Sequence, residues 1–281
     1  MDILVTGGAG YIGSHCCKEL HRRGYTPVTL DNLVYGHREN VRWGPFFEGS
    51  IDDHRILDKI FNHHKIKAVL HFAAFAYVGE SVTDPQKYYQ NNLKGTISLL
   101  ETLLTHDVKH FIFSSSCATY GIPNNVPIDE THPQHPINPY GKTKYMVEEI
   151  LKDYSHAYPF SYMSLRYFNA AGADMEAEIG EDHDPETHLI PLVLDVAKGR
   201  SSKINVFGTD YDTQDGSCIR DYIHVADLAN AHVLALEKLL KGNQSAFINL
   251  GTGEGYSVLQ VIETASKITG VDIAYDVTDR R

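Results

Sequence analysis

The chain has 281 residues, enough for about two domains. At 42% hydrophobic and 22% charged residues it has the balance of a globular protein with a real core, which excludes disorder as its main state. Acids outnumber bases 36 to 25, for a net charge of −11, and this excludes attachment to nucleic acid or an anionic membrane surface through bulk charge.

Residues 2–6 read as a buried strand with no basic stretch or cleavage site before it, so no secretory signal is expected. The longest uncharged apolar stretch near the middle, 69–79, is too short to span a bilayer and contains His71. Cys16, Cys17, Cys117 and Cys218 form no Cys-x-x-Cys pair. They read as reduced thiols of a cytoplasmic protein with no metal site.

After the first strand comes Thr6-Gly7-Gly8-Ala9-Gly10-Tyr11-Ile12-Gly13. Gly8, Gly10 and Gly13 match Gly-x-Gly-x-x-Gly, and helical spacing runs over 11–23 up to Gly24. A second strand, 26–30, ends at Asp31, 18 residues beyond Gly13. Strand, glycine turn, helix, strand and acid together form a dinucleotide-binding fingerprint. The glycines let the backbone approach a pyrophosphate, and the helix N-terminus supplies amides and a positive dipole end. Asp31 would accept hydrogen bonds from the adenosine ribose and repel a 2′-phosphate, which favours NAD over NADP.

A further strand is expected at 68–72. Asp84-Pro85 caps and opens a helix with Leu93, Ile97, Leu100 and Leu104 on one stripe, and a strand follows at 110–114. The alternation predicts a doubly wound parallel sheet of Rossmann type over residues 1–173. Asn138-Pro139 opens another helix, so Tyr140 and Lys144 share one face. With 17 tyrosines present, a lone Tyr-x-x-x-Lys carries little. The upstream fingerprint and Ser114-Ser115-Ser116 after a strand raise its meaning. A cation about 5 Å from a phenol, at an effective dielectric of about 20, contributes roughly 3 kcal/mol and takes its pKa from about 10 to roughly 7–8. Such a phenolate can take a proton from a sugar hydroxyl as hydride leaves the same carbon.

Beyond residue 173 the pattern changes. Residues 174–186 hold seven acids and no Lys or Arg, and read as a solvated loop. A helix at 189–198, a strand at 204–207, a helix at 225–241, a strand at 246–250 and a helix at 257–270 predict a smaller α/β substrate domain over 174–281.

These motifs, with Asp31-Asn32-Leu33, His71-Phe-Ala-Ala, Val78-Gly-Glu-Ser81, Arg166-Tyr-Phe-Asn169 and Arg220-Asp-Tyr-Ile-His224, resemble the extended short-chain dehydrogenase/reductase family. Within it they are most similar to the UDP-glucose 4-epimerase group, over essentially the whole chain. The resemblance implies reversible C4 inversion of a UDP-sugar with tightly held NAD, and a homodimer formed through two helices of the first domain. It implies that Ser116, Tyr140 and Lys144 are catalytic. It implies NAD contacts at Gly7, Gly10, Tyr11, Ile12, Gly13, Asp31, Asn32, Ile51, Phe72, Ala73, Asn91, Ser114, Tyr140, Lys144 and Tyr167. Ser50 is placed beside them, where the family often has an acid near the adenine. Substrate contacts are implied at Ser116, Tyr140, Asn169, Phe207, Arg220 and Arg281. Ala76-Tyr77 is similar to a subgroup that includes pentose-nucleotide epimerases, and His188 replaces a common Asn whose backbone contacts the UDP. The family pattern continues beyond Arg281, so the substrate domain is expected to be incomplete at its C-terminus. A 4,6-dehydratase would carry an Asp-Glu pair where Ser116-Cys117-Ala118-Thr119 stands. Pentose and N-acetylhexosamine 4-epimerases share the same catalytic group. A non-catalytic NAD-binding regulator commonly lacks the Tyr or the Lys, and both are present.

Overall fold

Strand β1 (Asp2–Thr6) is an unbroken apolar run in which Ile3, Leu4 and Val5 are fully buried, as a strand covered on both faces requires. In the computed structural model, which describes residues 1–280, β1 lies inside a seven-stranded parallel sheet. A glycine turn leads to α1 (Tyr11–Arg22), followed by β2 (Thr26–Asp31), β3 (Phe46–Glu48), α2 (His54–His63) and β4 (Ile66–His71). Next come α3 (Val78–Thr83), α4 (Pro85–Tyr88), α5 (Thr96–Thr105), β5 (His110–Ser114), α6 (Pro139–Ala157), β6 (Ser161–Tyr167) and β7 (Asn169–Ala171). The chain continues through α7 (Leu189–Ala197), β8 (Ile204–Phe207), β9 (Ile219–Arg220), β10 (Tyr222–His224) and α8 (Val225–Leu240). It ends with β11 (Ala246–Leu250), β12 (Tyr256–Ser257), α9 (Val258–Thr269) and β13 (Tyr275–Thr278).

The sheet order is β3-β2-β1-β4-β5-β6-β11. Connections change direction between β1 and β4, which opens a crevice at the carboxyl ends of these strands. One face is covered by α2, α5 and α6 around Leu57, Leu99, Leu103 and Leu151. The other is covered by α1 and α8 around Cys16, Leu20, Val233 and Leu236. A smaller core of Val193, Val206, Ile262 and Ile273 joins α7, β8 and α9.

Two expectations are corrected here. A single cut at residue 173 does not describe the chain, because β11 pairs with β6 in the main sheet and α8 packs on its face. The apolar faces of α8 and β11 are matched by the core of the main sheet. The helix expected from Pro85 is also not continuous. Residues Tyr89–Gly95 form a wider π-helical turn between α4 and α5. There Asn92 Nδ2 donates to the Phe75 carbonyl (2.9 Å) and Asn92 Oδ1 accepts from the Phe75 amide (2.8 Å). Such turns redirect side chains, often at functional sites.

Replacing Leu236, fully buried on α8, tests this placement. Leu236→Ala should lower unfolding free energy by about 2–5 kcal/mol in urea titration. A loss within about 0.5 kcal/mol, the range of a surface change, contradicts it.

Candidate active site

The glycine turn closes on itself. Gly7 has φ +72°, and a Cβ there would lie 2.6 Å from the Ala73 amide nitrogen. A Cβ on Gly13 would stand 2.1 Å from the Gly7 carbonyl oxygen. A side chain at Gly7 would run into the backbone beyond β4, and one at Gly13 would fill the space in which α1 meets the turn. Asp31 is 8% exposed at the end of β2. Its Oδ2 accepts from the Ala9 amide (3.0 Å) and its Oδ1 from the Leu33 amide (2.9 Å). Burial raises its pKa, and those two amides pull it down. Each oxygen keeps a second lone pair for another donor. Ser50, Ile51 and Asn91 line one cleft of about 280 Å³, together with Phe75, Lys87 and Gln90.

Asn138 caps α6 by accepting from the Gly141 amide (2.8 Å), and Pro139 occupies the first turn. Tyr140, Lys144 and Glu148 then lie on one buried stripe. Lys144 Nζ donates to the Ser114 carbonyl (2.6 Å) at the end of β5 and stands 5.8 Å from the centre of the Tyr140 ring. The Ser114 and Tyr167 hydroxyls hydrogen-bond each other. Ser116 is 8% exposed, and its hydroxyl favours ionisation of Tyr140.

The expected phenol pKa of 7–8 is not what the protein's own groups produce. Burial pushes Tyr140 up to about 12, with Ser116 pulling the other way. Burial also brings Lys144 down to about 7, against the attraction of Glu148. Desolvation of both groups outweighs the attraction on which that expectation rested.

Glu148 is fully buried. Arg166 meets it through Nη2–Oε2 at 2.7 Å and Nε–Oε1 at 2.9 Å, and the Ser115 and Ser164 hydroxyls donate to Oε1. This pair ties α6 to β5 and β6 behind Lys144. His71 sits between Thr6 Oγ1 (2.7 Å) and Thr96 Oγ1 (2.9 Å). Thr96 already donates to the Asn92 carbonyl, so His71 carries its proton on Nε2. Burial, aided by Lys144, lowers its pKa to about 3.

The sequence model described as "NAD dependent epimerase/dehydratase family" matches residues 3–251. The chain belongs to that family. The UDP-glucose 4-epimerase of Rhizobium leguminosarum bv. trifolii is 54% identical over 279 residues, covering 99% of this chain and 85% of the relative. The UDP-glucose 4-epimerase of Brucella ovis, solved in complex with NAD, is 52% identical with a TM-score of 0.97, covering 100% of this chain and 86% of that one. The UDP-glucose-4-epimerase of Stenotrophomonas maltophila, solved with bound NAD and formylated UDP-arabinopyranose, is 41% identical with a TM-score of 0.96, covering 100% and 87%.

In this family member the expected residues fall into three groups. Gly7, Gly10, Gly13, Asp31, Asn32, Phe72 and Ala73 border the crevice at the ends of β1, β2 and β4. Ser114, Ser116, Tyr140, Lys144 and Tyr167 meet at the ends of β5 and β6. The Tyr11 hydroxyl donates to the Gly172 carbonyl (2.6 Å), and the Ile12 side chain packs against the core. In the other lobe, Asn169 Nδ2 donates to the Asp221 carbonyl (2.9 Å), and Phe207 ends β8. The Asp221 carboxylate accepts from Thr252 and Gly253. Arg220 is exposed, and its Nη1 donates to the neighbouring Ile219 carbonyl (2.8 Å). Its charge reaches Cys117, next to Ser116. Arg281 lies outside the described residues.

Glu148 and Asn92 carried no sequence signal strong enough to single them out, and His71 and Arg166 entered only as motif residues without a role. One signal was present: Glu148 follows Lys144 by four residues on the same helix face. The 174–186 segment is not simply solvated, since Ile179 is 5% exposed and the Glu181 side chain 7%. The expectation of no metal site meets a Glu/His cluster there, considered below. No helix among the described residues is long and apolar enough to cross a membrane.

His71 and the fully buried His232, lowered to about 4, are neutral in the folded protein. Their folded values lie below the unfolded value of about 6.5. The stability they carry is therefore present above that pH and lost as pH falls through the window toward their folded values. His232→Leu should remove roughly 2 kcal/mol of the fall in unfolding free energy between about pH 7 and 5. Identical pH slopes for the two proteins contradict the assignment.

Proposed function

We propose that the chain interconverts UDP-glucose and UDP-galactose by reversible inversion at C4, holding NAD throughout. The observation that carries this reading is the buried meeting of Tyr140, Lys144 and Ser116 beside the glycine turn. The chain's residues fit NAD: a glycine turn closed tightly against its own backbone at Gly7 and Gly13 ahead of the α1 N-terminus, and Asp31 with acceptor capacity at the end of β2. The cleft lined by Ser50, Ile51 and Asn91 suits the adenosine end. Bound NAD supplies a hydride acceptor and donor for C4 and a positive ring beside the phenol.

Tyr140 takes the proton from the C4 hydroxyl and later returns it to the 4-keto oxygen. Ser116 hydrogen-bonds that oxygen and holds it against the phenol. Lys144, fixed by the Ser114 carbonyl and backed by Glu148, sets the charge around Tyr140 and would bind the nicotinamide ribose. Inversion requires hydride return to the opposite sugar face, so the nucleotide stays anchored while the hexose turns. Arg220 suits the diphosphate, because a guanidinium presents paired donors to phosphate oxygens. Asn169 and Phe207 complete the UDP contacts in this proposal, and the segments around 174–280 outside α8 and β11 form the substrate lobe.

A pentose reading has one observation in its favour. Tyr77 stands beside Ala76 with its hydroxyl buried and without a hydrogen-bond partner. A polar group on a smaller or differently substituted sugar would satisfy it. Cytoplasmic placement and a homodimer belong to the same proposal. The four free cysteines support the first, and the family resemblance supports the second.

Tyr140→Phe should retain NAD and lower kcat about 10²- to 10⁴-fold in a coupled assay of UDP-galactose conversion. Turnover near wild type contradicts its role as the base. Asp31→Ala should erode the preference for NAD over NADP, read from the affinities of the cofactor-stripped protein. An unchanged ratio removes Asp31 from the ribose site.

A further inference from the structure

Glu181, His183, Glu186 and His188 lie on the link between β7 and α7, and their side chains take no part in the chemistry above. One donor atom from each gathers within 4.8 Å of the others. His183 Nδ1 lies 3.4 Å from Glu181 Oε1 and 3.6 Å from Glu186 Oε2. His188 Nδ1 lies 2.7 Å from Glu181 Oε1 and 3.2 Å from Glu186 Oε1. Tetrahedral ligands at about 2.05 Å from zinc are separated by about 3.3 Å, close to the spacing of the two His183 pairs.

The cluster is more than a set of acids. The Glu181 side chain is 7% exposed, and its Oε1 points into the group without a hydrogen-bond partner. His183 Nδ1 is buried and equally unpartnered. His188 Nδ1 stays close to Glu181 Oε1, whereas His183 Nδ1 has no aligned contact with either carboxylate. Glu186 is already oriented, since its Oε1 accepts from the Thr187 and His188 amides (2.7 and 2.8 Å), which leaves Oε2 to the cluster. Two carboxylates in a half-buried site are neutralised by one dication. The neighbouring Asp174, Glu176 and Glu178 differ, because Lys18 pairs with all three.

We propose that Glu181, His183, Glu186 and His188 bind one divalent cation of the zinc type. Two imidazole nitrogens with two carboxylates suit zinc better than calcium or magnesium, which prefer all-oxygen shells. Four protein ligands close the shell, so the ion is structural. It would clip the 181–188 segment beside the main lobe, where the His183 ring meets the edges of Tyr11 (6.1 Å) and Tyr77 (6.3 Å). That wall lies next to the proposed NAD and sugar sites.

The test uses tag-free, NAD-loaded protein, stripped with a chelator and titrated with Co²⁺ as a visible probe. The expected result is one Co²⁺ per chain with intense tetrahedral d–d bands, displaced by equimolar Zn²⁺, and a Zn²⁺-dependent rise in Tm. The double variant His183→Ala/His188→Ala should lose the bands and the Tm response. Should it not fold, judged by circular dichroism, the milder Glu181→Gln should weaken Co²⁺ binding in their place. Absence of tetrahedral bands in the parent protein, or their persistence at unchanged affinity in the folded variants, overturns the proposal.

Discussion

Tyr140 and Lys144 are buried together on consecutive turns of α6, and each resists the charge that the chemistry asks of it. A phenol in dry protein holds its proton, and an ammonium there tends to lose one. The surroundings act on this problem directly. The Ser114 carbonyl accepts from Lys144, Glu148 lies one turn further along α6, and the Ser116 hydroxyl favours the phenolate. Arg166 in turn holds Glu148, so the charge behind the lysine is compensated by a bidentate pair. Removing one partner of such a pair costs about 3–5 kcal/mol, which makes this pair a support of the site as well as of the fold.

The sheet brings the parts together. Parallel strands place their carboxyl ends on one side, so the turn after β1, the acid ending β2 and the serines after β5 face one crevice. The chain then leaves to build α7 and β8 and returns through α8 and β11 to the main core. That return ties the segments around α7 and β8 to the main core through β11 and α8.

The legible parts of the sequence were local. The glycine turn, Asp31 and the Asn138-Pro139 helix start each declare themselves within a few residues, and β1, β5, β8 and β11 match their expected bounds. What stayed hidden depends on distant partners. Nothing near α8 or β11 reveals that their apolar faces belong to the first core. The π-helical turn at Asn92 depends on Phe75, 17 residues away. The acids at 174–186 read as solvated because composition does not show a segment folding back to bury Glu181. The sign of the Tyr140 shift was missed for the same reason: an i, i+4 cation is visible in sequence, whereas depth of burial is not.

In the proposed mechanism the buried phenol of Tyr140 ionises near neutrality only with a positive nicotinamide ring beside it. Spectrophotometric titration of the phenolate band tests this directly, taken as the difference between the parent protein and its residue-140 phenylalanine variant, with NAD⁺ and without. The account predicts a phenol that titrates near 12 in the stripped protein and several units lower with NAD⁺ bound. The same midpoint in both forms would contradict it.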